Sequence, residues 1–133
     1  MVESALSIDT IKEIENLCRR HFKSKTLTED AMKEVAQFFQ VLAEPNRLKI
    51  LQLLRDRPMK VSDLALQCGS SVANVSRHLT QLAQKGLVSR EAKGVNAFYQ
   101  VADRSVYELC DLVCGTLESK YKSQALMIFG IAK

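Results

Sequence analysis

Ser62 to Val88 reads SDLALQCGSSVANVSRHLTQLAQKGLV. Ser62 is placed to cap a short helix from Asp63 to about Cys68, and Gly69 closes it. Ser70 or Ser71 then offers a second cap. Val72, Val75, Leu79 and Leu82 follow at three- and four-residue spacing, so the pattern predicts a helix from Val72 to Gln84 that Gly86 terminates. Two short helices joined by a Gly-Ser-Ser turn make a helix-turn-helix. With that seam turned inward, the second helix presents Ala73, Asn74, Ser76, Arg77 and Gln81 on its open faces. The surface combines small residues, amides and one arginine, and it carries no acid. Small side chains let a helix backbone approach the floor of a DNA major groove about 12 Å wide, where Asn and Gln match adenine and Arg matches guanine.

The segments on either side fit the same reading. After the second helix, Leu87 and Val88, then Phe98, Tyr99 and Val101, flank Lys93-Gly94-Val95-Asn96. Two β-rich runs around a Gly/Asn turn predict a hairpin. Arg90 and Lys93 lie towards its tip, as in a wing that meets phosphates or the minor groove. Before the motif, Pro45 starts a helix to about Arg55 that would bury Leu48, Leu51 and Leu54, and Pro58 stops it. Met59 to Val61 reads as a short extended connector. Further upstream, Ile8, Ile11, Ile14, Cys18 and Phe22 mark a helix from Ser7 to Lys23, with a capping-box pattern at Thr10 and Glu13. A helix from Thr28 carries Glu29 and Asp30 in its first turn and Ala31, Val35, Phe38, Phe39 and Leu42 on one stripe. A last helix begins near Asp103, with Val106, Leu109, Cys110, Val113, Cys114 and Leu117 on one face. The pattern leaves open whether Ser119 to Lys133 continues that helix or bends back.

The expected fold is mainly α with a small β-hairpin: a winged helix-turn-helix flanked by N- and C-terminal helices, to which the family resemblance given below assigns dimerisation. It forms one domain over 1–133, divided into N-terminal helices (7–43), DNA-binding motif and wing (44–104), and C-terminal helix and tail (105–133).

Composition agrees with this class. The 133 residues are 47% hydrophobic and 26% charged, a globular balance. Net charge is +4. Residues 44–104 hold 10 basic and 5 acidic side chains, whereas 1–43 hold 6 and 7 and 105–133 hold 3 of each. The positive excess therefore sits in the presumed DNA-binding segment. The longest apolar run, Ala125 to Ala132, falls far short of the roughly 20 residues of a membrane span. The start, MVESALSIDTIK, lacks the pattern of a secretory signal, so a cytoplasmic location is expected. Four cysteines in such a chain are expected as free thiols or ligands, not as a disulfide framework.

LAEPNRLKILQLL (Leu42 to Leu54), the Ser62 to Val88 stretch and FYQVAD (Phe98 to Asp103) resemble the ArsR/SmtB winged-helix repressors, over about residues 30 to 118. The resemblance implies a homodimeric repressor, not an enzyme. It would hold a palindromic operator in double-stranded DNA until a ligand loosens it, and the terminal helices of two protomers would form the interface. His78 matches the family's His-Leu pair and is expected to serve the motif structurally or as a phosphate contact. The expected DNA-binding set is Ser71, Asn74, Ser76, Arg77, His78, Gln81, Arg90 and Lys93.

Two metal sites known in the family lack their ligands here. Lys60 and Ser62 stand where some members carry Cys-x-Cys. Asp103 is retained from a second site, but Ser105, Thr116 and Ser119 occupy its other positions. With only His21 and His78 in the chain, a His-rich zinc or nickel site is disfavoured.

Thiols remain. Cys110 and Cys114 lie four apart on one helix face, with Cβ atoms roughly 5–6 Å apart. Two thiolates so placed can pinch a soft ion, whereas a disulfide needs Cβ atoms about 3.5–4.5 Å apart. Some family members detect trivalent arsenic or antimony through similarly displaced pairs. Cys18 is a candidate third ligand. No permanently bound cofactor is expected, only As(III), Sb(III) or another soft ion as inducer. The alternative keeps the DNA binding and makes the cysteines a thiol redox or persulfide sensor, bridged between Cys18 and Cys110 or Cys114. Both Cys110 and Cys114 also fall on an apolar stripe, where free cysteine packs as a small hydrophobe. Cys68, one turn after Leu64, reads as core. A thiol oxidoreductase is disfavoured, because the pair lies mid-helix beside Asp111 and no Cys-x-x-Cys exists.

Overall fold

The computed structural model describes residues 7–23, 27–122 and 130, with the side chains of 17–23 outside that description. The chain divides into two compact units, Met1–Gln40 and Val41–Lys133. Among the described residues no helix is long and apolar enough to cross a membrane.

The first unit is helical. Helix α1 spans Ile8–Lys23. Its cap is Ser7, whose Oγ accepts the Thr10 N–H at 3.1 Å, so the Thr10/Glu13 pattern lies one turn inside the helix. Helix α2, Glu29–Leu42, is capped by Thr28, whose Oγ1 accepts the Ala31 N–H at 3.1 Å. Glu29 and Asp30 sit against the positive end of its dipole.

The second unit holds α3 (Pro45–Leu53), β1 (Met59–Lys60), α4 (Val61–Cys68), α5 (Val72–Gln84), β2 (Val88–Lys93), β3 (Asn96–Val101) and α6 (Ser105–Lys120). This is the expected winged helix-turn-helix, mainly α with a small sheet. Its core is aliphatic: Ile50 and Leu51 of α3 with Leu54 at its C-cap, Leu64 of α4, Val75, Leu79 and Leu82 of α5, Leu87, and Val106 of α6 are fully buried.

Two expected core positions are corrected. Leu48 is 42% exposed and Ile50 takes its place, because the buried stripe of α3 runs through residues 50, 51 and 54. Val72 is 48% exposed, and the α5 seam is completed instead by His78. The cap of α4 is also corrected. The helix starts at Val61 straight out of β1, so Ser62 lies inside its first turn and no side chain caps it.

The Met59 to Val61 connector supplies a strand. Met59 pairs with Tyr99 and Lys60 with Phe98, which makes a three-stranded antiparallel sheet of order β1-β3-β2 in place of the expected two-stranded hairpin. A two-residue strand has no periodicity to read; its pairing is decided by the free edge of β3. The β2–β3 register runs from Val88 opposite Val101 to Lys93 opposite Asn96, closed by Gly94-Val95. Gly94 takes φ 62, as does Gly69 at the end of α4. Both left-handed positions explain why glycine stands there.

Asp103 anchors α6, as its Oδ1 accepts from the Ser105 N–H at 3.0 Å and the Ser105 hydroxyl at 2.6 Å. One turn on, the buried Tyr107 hydroxyl donates to the Leu51 carbonyl at 2.6 Å, in the last turn of α3. The guanidinium groups of Arg55 and Arg104 lie 4.8 and 5.3 Å from the same ring's centroid. These contacts fasten the start of α6 to the end of α3. The helix ends at Lys120. The path of the tail beyond residue 122 lies outside the described residues, Gly130 apart.

Candidate nucleic-acid interface

Ser71 caps α5, with extended backbone and an Oγ that accepts the Asn74 N–H at 3.1 Å. The first turn holds no acid. Ser71, Ala73, Arg77 and Gln81 are exposed, and Asn74 and Ser76 are half-buried. The face is therefore open as expected, but its polar groups are not all free. Asn74 Nδ2 donates to Ser70 Oγ at 2.8 Å, and Arg77 Nη2 donates to Asn74 Oδ1. On the wing, Arg90 and Lys93 are exposed. Lys93 Nζ lies 5.6 Å from the Phe98 ring centroid, so its cation rests on the solvent side of the hairpin.

Of the two roles expected for His78, structural or phosphate contact, the structure gives it the structural one and removes it from the DNA-facing set. It is 5% exposed and faces inward. Its Nδ1 accepts from Arg47 Nε at 3.1 Å, and its Nε2 stands 3.7 Å from Glu44 Oε2. Residue 78 follows Val75 by three and precedes Leu82 by four, so helical geometry puts it in the buried seam. Arg47 also donates from Nη1 to the Val41 carbonyl at 3.1 Å, and Glu44 Oε2 accepts the Arg47 N–H at 3.1 Å as the cap of α3. One buried imidazole thus joins α5 to the junction of α2 and α3. Glu44 and Arg47 were not singled out as site residues in the sequence. The available signal was a histidine in an aliphatic seam, which requires polar partners.

The His78 pKa is lowered. Burial is the largest cause; Glu44 opposes it, and Arg47 and Arg77 add to it. The partners assign the neutral ring with its proton on Nε2, facing the Glu44 carboxylate. An imidazole whose folded pKa lies below its unfolded value of about 6.5 binds its proton first in the unfolded chain. Its contribution to stability is complete above that value and is lost as pH falls towards the folded pKa. Urea unfolding at pH 7.5 and 5.5 is expected to show a loss of stability in acid that a His78→Gln variant reduces. An equal acid loss in both proteins would contradict this account.

The thiols sit apart from this face. Cys110 is half-buried and Cys114 exposed, one turn on along α6. Burial pushes the Cys110 thiol up; Cys114 and Asp111 act the same way and Arg55 opposes them. Cys68, on α4, is half-buried and also raised by burial, against Lys49. The Cys18 side chain lies outside the described residues. Among the described residues no three metal-ligating groups converge. Cys110 and Cys114 bring two sulfurs to α6, one helical turn apart.

Residues 44–90 match the family model for bacterial regulatory proteins of the arsR family. The HTH-type transcriptional regulator NmtR of Mycobacterium tuberculosis is 38% identical over 92 residues, covering 69% of this chain and 77% of that protein. This chain belongs to the ArsR family. KmtR, a regulator of the same organism, is 35% identical, and the match spans 62% of this chain and 64% of KmtR. Among solved structures, Mycobacterium tuberculosis Rv0081 has a TM-score of 0.67 at 30% identity, covering 73% of this chain and 98% of that one. A homodimeric winged helix-turn-helix DNA-binding domain from Mycobacterium bovis gives 0.58 at 29%, covering 65% and 83%. The antimony-specific transcriptional repressor AntR gives 0.61 at 30%, covering 71% and 86%. The ArsR-family chain is thus a winged-helix transcriptional regulator and not an enzyme.

Proposed function

We propose that this ArsR-family chain is a repressor that grips palindromic operator DNA as a homodimer and is released by a thiophilic ion of the arsenite or antimonite class. The DNA half of the reading is carried by the acid-free, exposed face of α5 beside a basic hairpin. Ser71, Ser76, Arg77 and Gln81 face the major groove, with Asn74 among them. Arg90 and Lys93 meet phosphates. A second copy covers apolar surface that a single chain leaves in water. Ile8, Ile11 and Ile14 of α1 and Met32, Val35 and Phe39 of α2 are exposed, as are Leu112, Val113 and Leu117 of α6. The likeness to a homodimeric domain supports this.

The single observation that carries the ligand is the pair Cys110 and Cys114, one helical turn apart on α6 where the apolar face is open. The likeness to an antimony-specific repressor agrees with it. A raised thiol is no obstacle to such an ion: each S–H proton joins a hydroxide of the trivalent oxyacid, water leaves, and a bond from sulfur to the metalloid forms. The redox alternative has less support at Cys110, whose half-buried thiol is raised by desolvation and by its Cys114 and Asp111 neighbours and so holds less thiolate to be oxidised. Ligand binding at the protomer contact changes the spacing of the two α5 helices, which must match one turn of DNA.

Titrating reduced protein with antimonite while following operator anisotropy tests this. A loss of affinity of about 5- to 150-fold is expected, with a Cys110→Ser, Cys114→Ser variant binding DNA normally and not responding. Unchanged affinity with antimonite bound, or a full response in the double variant, would overturn the ligand assignment. Operator affinity itself is expected to fall with salt at a log–log slope of about −0.9 per phosphate contacted, and a flat profile would overturn the DNA assignment.

A further inference from the structure

The amide of Asn74 is held from both sides. Asn74 and Arg77 lie three residues apart on one face of α5, and Ser70, just before the Ser71 cap, reaches the same amide through a hydrogen bond. Nδ2 donates to Ser70 Oγ at 2.8 Å, which orients the amide so that Oδ1 points along the helix. Arg77 Nη2 donates to that oxygen. An asparagine reads adenine by accepting at Oδ1 and donating from Nδ2 together. Each of those atoms already serves one partner here, which leaves the amide one N–H and one lone pair and fixes the direction in which it points.

Arg77 keeps a complete recognition edge. Asn74 takes one proton of Nη2. Whichever of the two it takes, one complete two-donor edge of the guanidinium remains free, either Nε with Nη2 or Nη1 with Nη2. That edge has the fork geometry that matches guanine O6 and N7. The partner is a neutral amide, and the first turn of α5 holds no acid, so the full positive charge is kept for DNA. A long side chain held in place before binding loses less freedom when it meets its base.

We infer that Asn74 is a positioning residue that sets Arg77 for guanine, and that Ser70 sets Asn74, so that the three side chains read one G·C pair in each half-site. This inference rests on α5 lying in the major groove.

The test measures affinity of the full-length protein for an operator and for its single base-pair substitutions, in wild type and variants. Circular dichroism checks that each variant is folded. Arg77→Ala is expected to abolish a guanine preference of about 5- to 150-fold at one position. Asn74→Ala is expected to weaken the same preference at the same position, and Ser70→Ala to do so less. Asn74→Asp keeps an acceptor for Arg77, so it is expected to retain the preference while overall affinity falls from repulsion by phosphates. Asn74→Ala combined with Arg77→Ala is expected to discriminate no worse at that position than Arg77→Ala alone. Relaxation of an A·T position by Asn74→Ala, with the guanine preference intact, would overturn the inference and leave the groove placement standing. No change at any position in Arg77→Ala would overturn both.

Discussion

Arg47→Ala is expected to lower the free energy of unfolding by about 3 kcal/mol, from two lost hydrogen bonds of a charged donor and the buried groups left behind. The side chain faces solvent only in part, and its guanidinium serves two acceptors. Nε satisfies Nδ1 of the buried His78, and Nη1 satisfies the Val41 carbonyl near the end of α2. Removing it leaves a ring nitrogen unpaired inside an aliphatic seam and a helix-end carbonyl without its donor. Arg47→Lys is expected to recover little, because one ammonium cannot reproduce a planar fork aimed at two acceptors. Urea unfolding with an unchanged m-value is the measurement. A loss below about 0.5 kcal/mol, the scale of an ordinary surface change, would refute the role assigned to Arg47. The functional consequence follows from place. His78 lies on α5, one residue from Arg77, so loosening this joint loosens the helix that presents the DNA-facing side chains.

The second large effect comes from the opposite side of that helix. Leu79 is 0% exposed, in the seam with Val75 and Leu82. Leu79→Ala removes buried apolar atoms and leaves a cavity, at a cost of about 3–5 kcal/mol. In a domain whose whole stability is roughly 5–15 kcal/mol, that is a large share. The melting temperature is expected to fall on the order of 10–20 °C. Val72→Ala, on the same helix but 48% exposed, is the contrast, with a small shift. Comparable losses in the two variants would mean that α5 packs on a different face, and the surface assigned to DNA would be wrong with it.

The local signals were legible because their causes are local. The α5 bounds and the left-handed Gly69 and Gly94 all follow from residues within a turn of one another, whereas the choice of Ser71 over Ser70 as cap came from the structure. The departures share a different cause. β1 exists because β3 offers it an edge almost 40 residues later in the chain, not because Met59 and Lys60 favour a strand. The Tyr107 hydroxyl meets a carbonyl of α3 that no sequence spacing relates to it. The Ser70–Asn74–Arg77 chain is a middle case. Its spacing is visible in the sequence, but each side chain has several polar options, and only the rotamers in the fold choose among them.

From the sequence alone come the class, the motif, the acid-free face and the pair of thiols one turn apart, since helical periodicity and capping operate over a few residues. Tertiary structure decided which polar side chains remain available. It turned His78 inward to Arg47 and Glu44, committed Asn74 to its neighbours, and left Cys114 in the open. Availability depends on what lies across the core or beside a side chain in space, and no pattern along the chain encodes that distance.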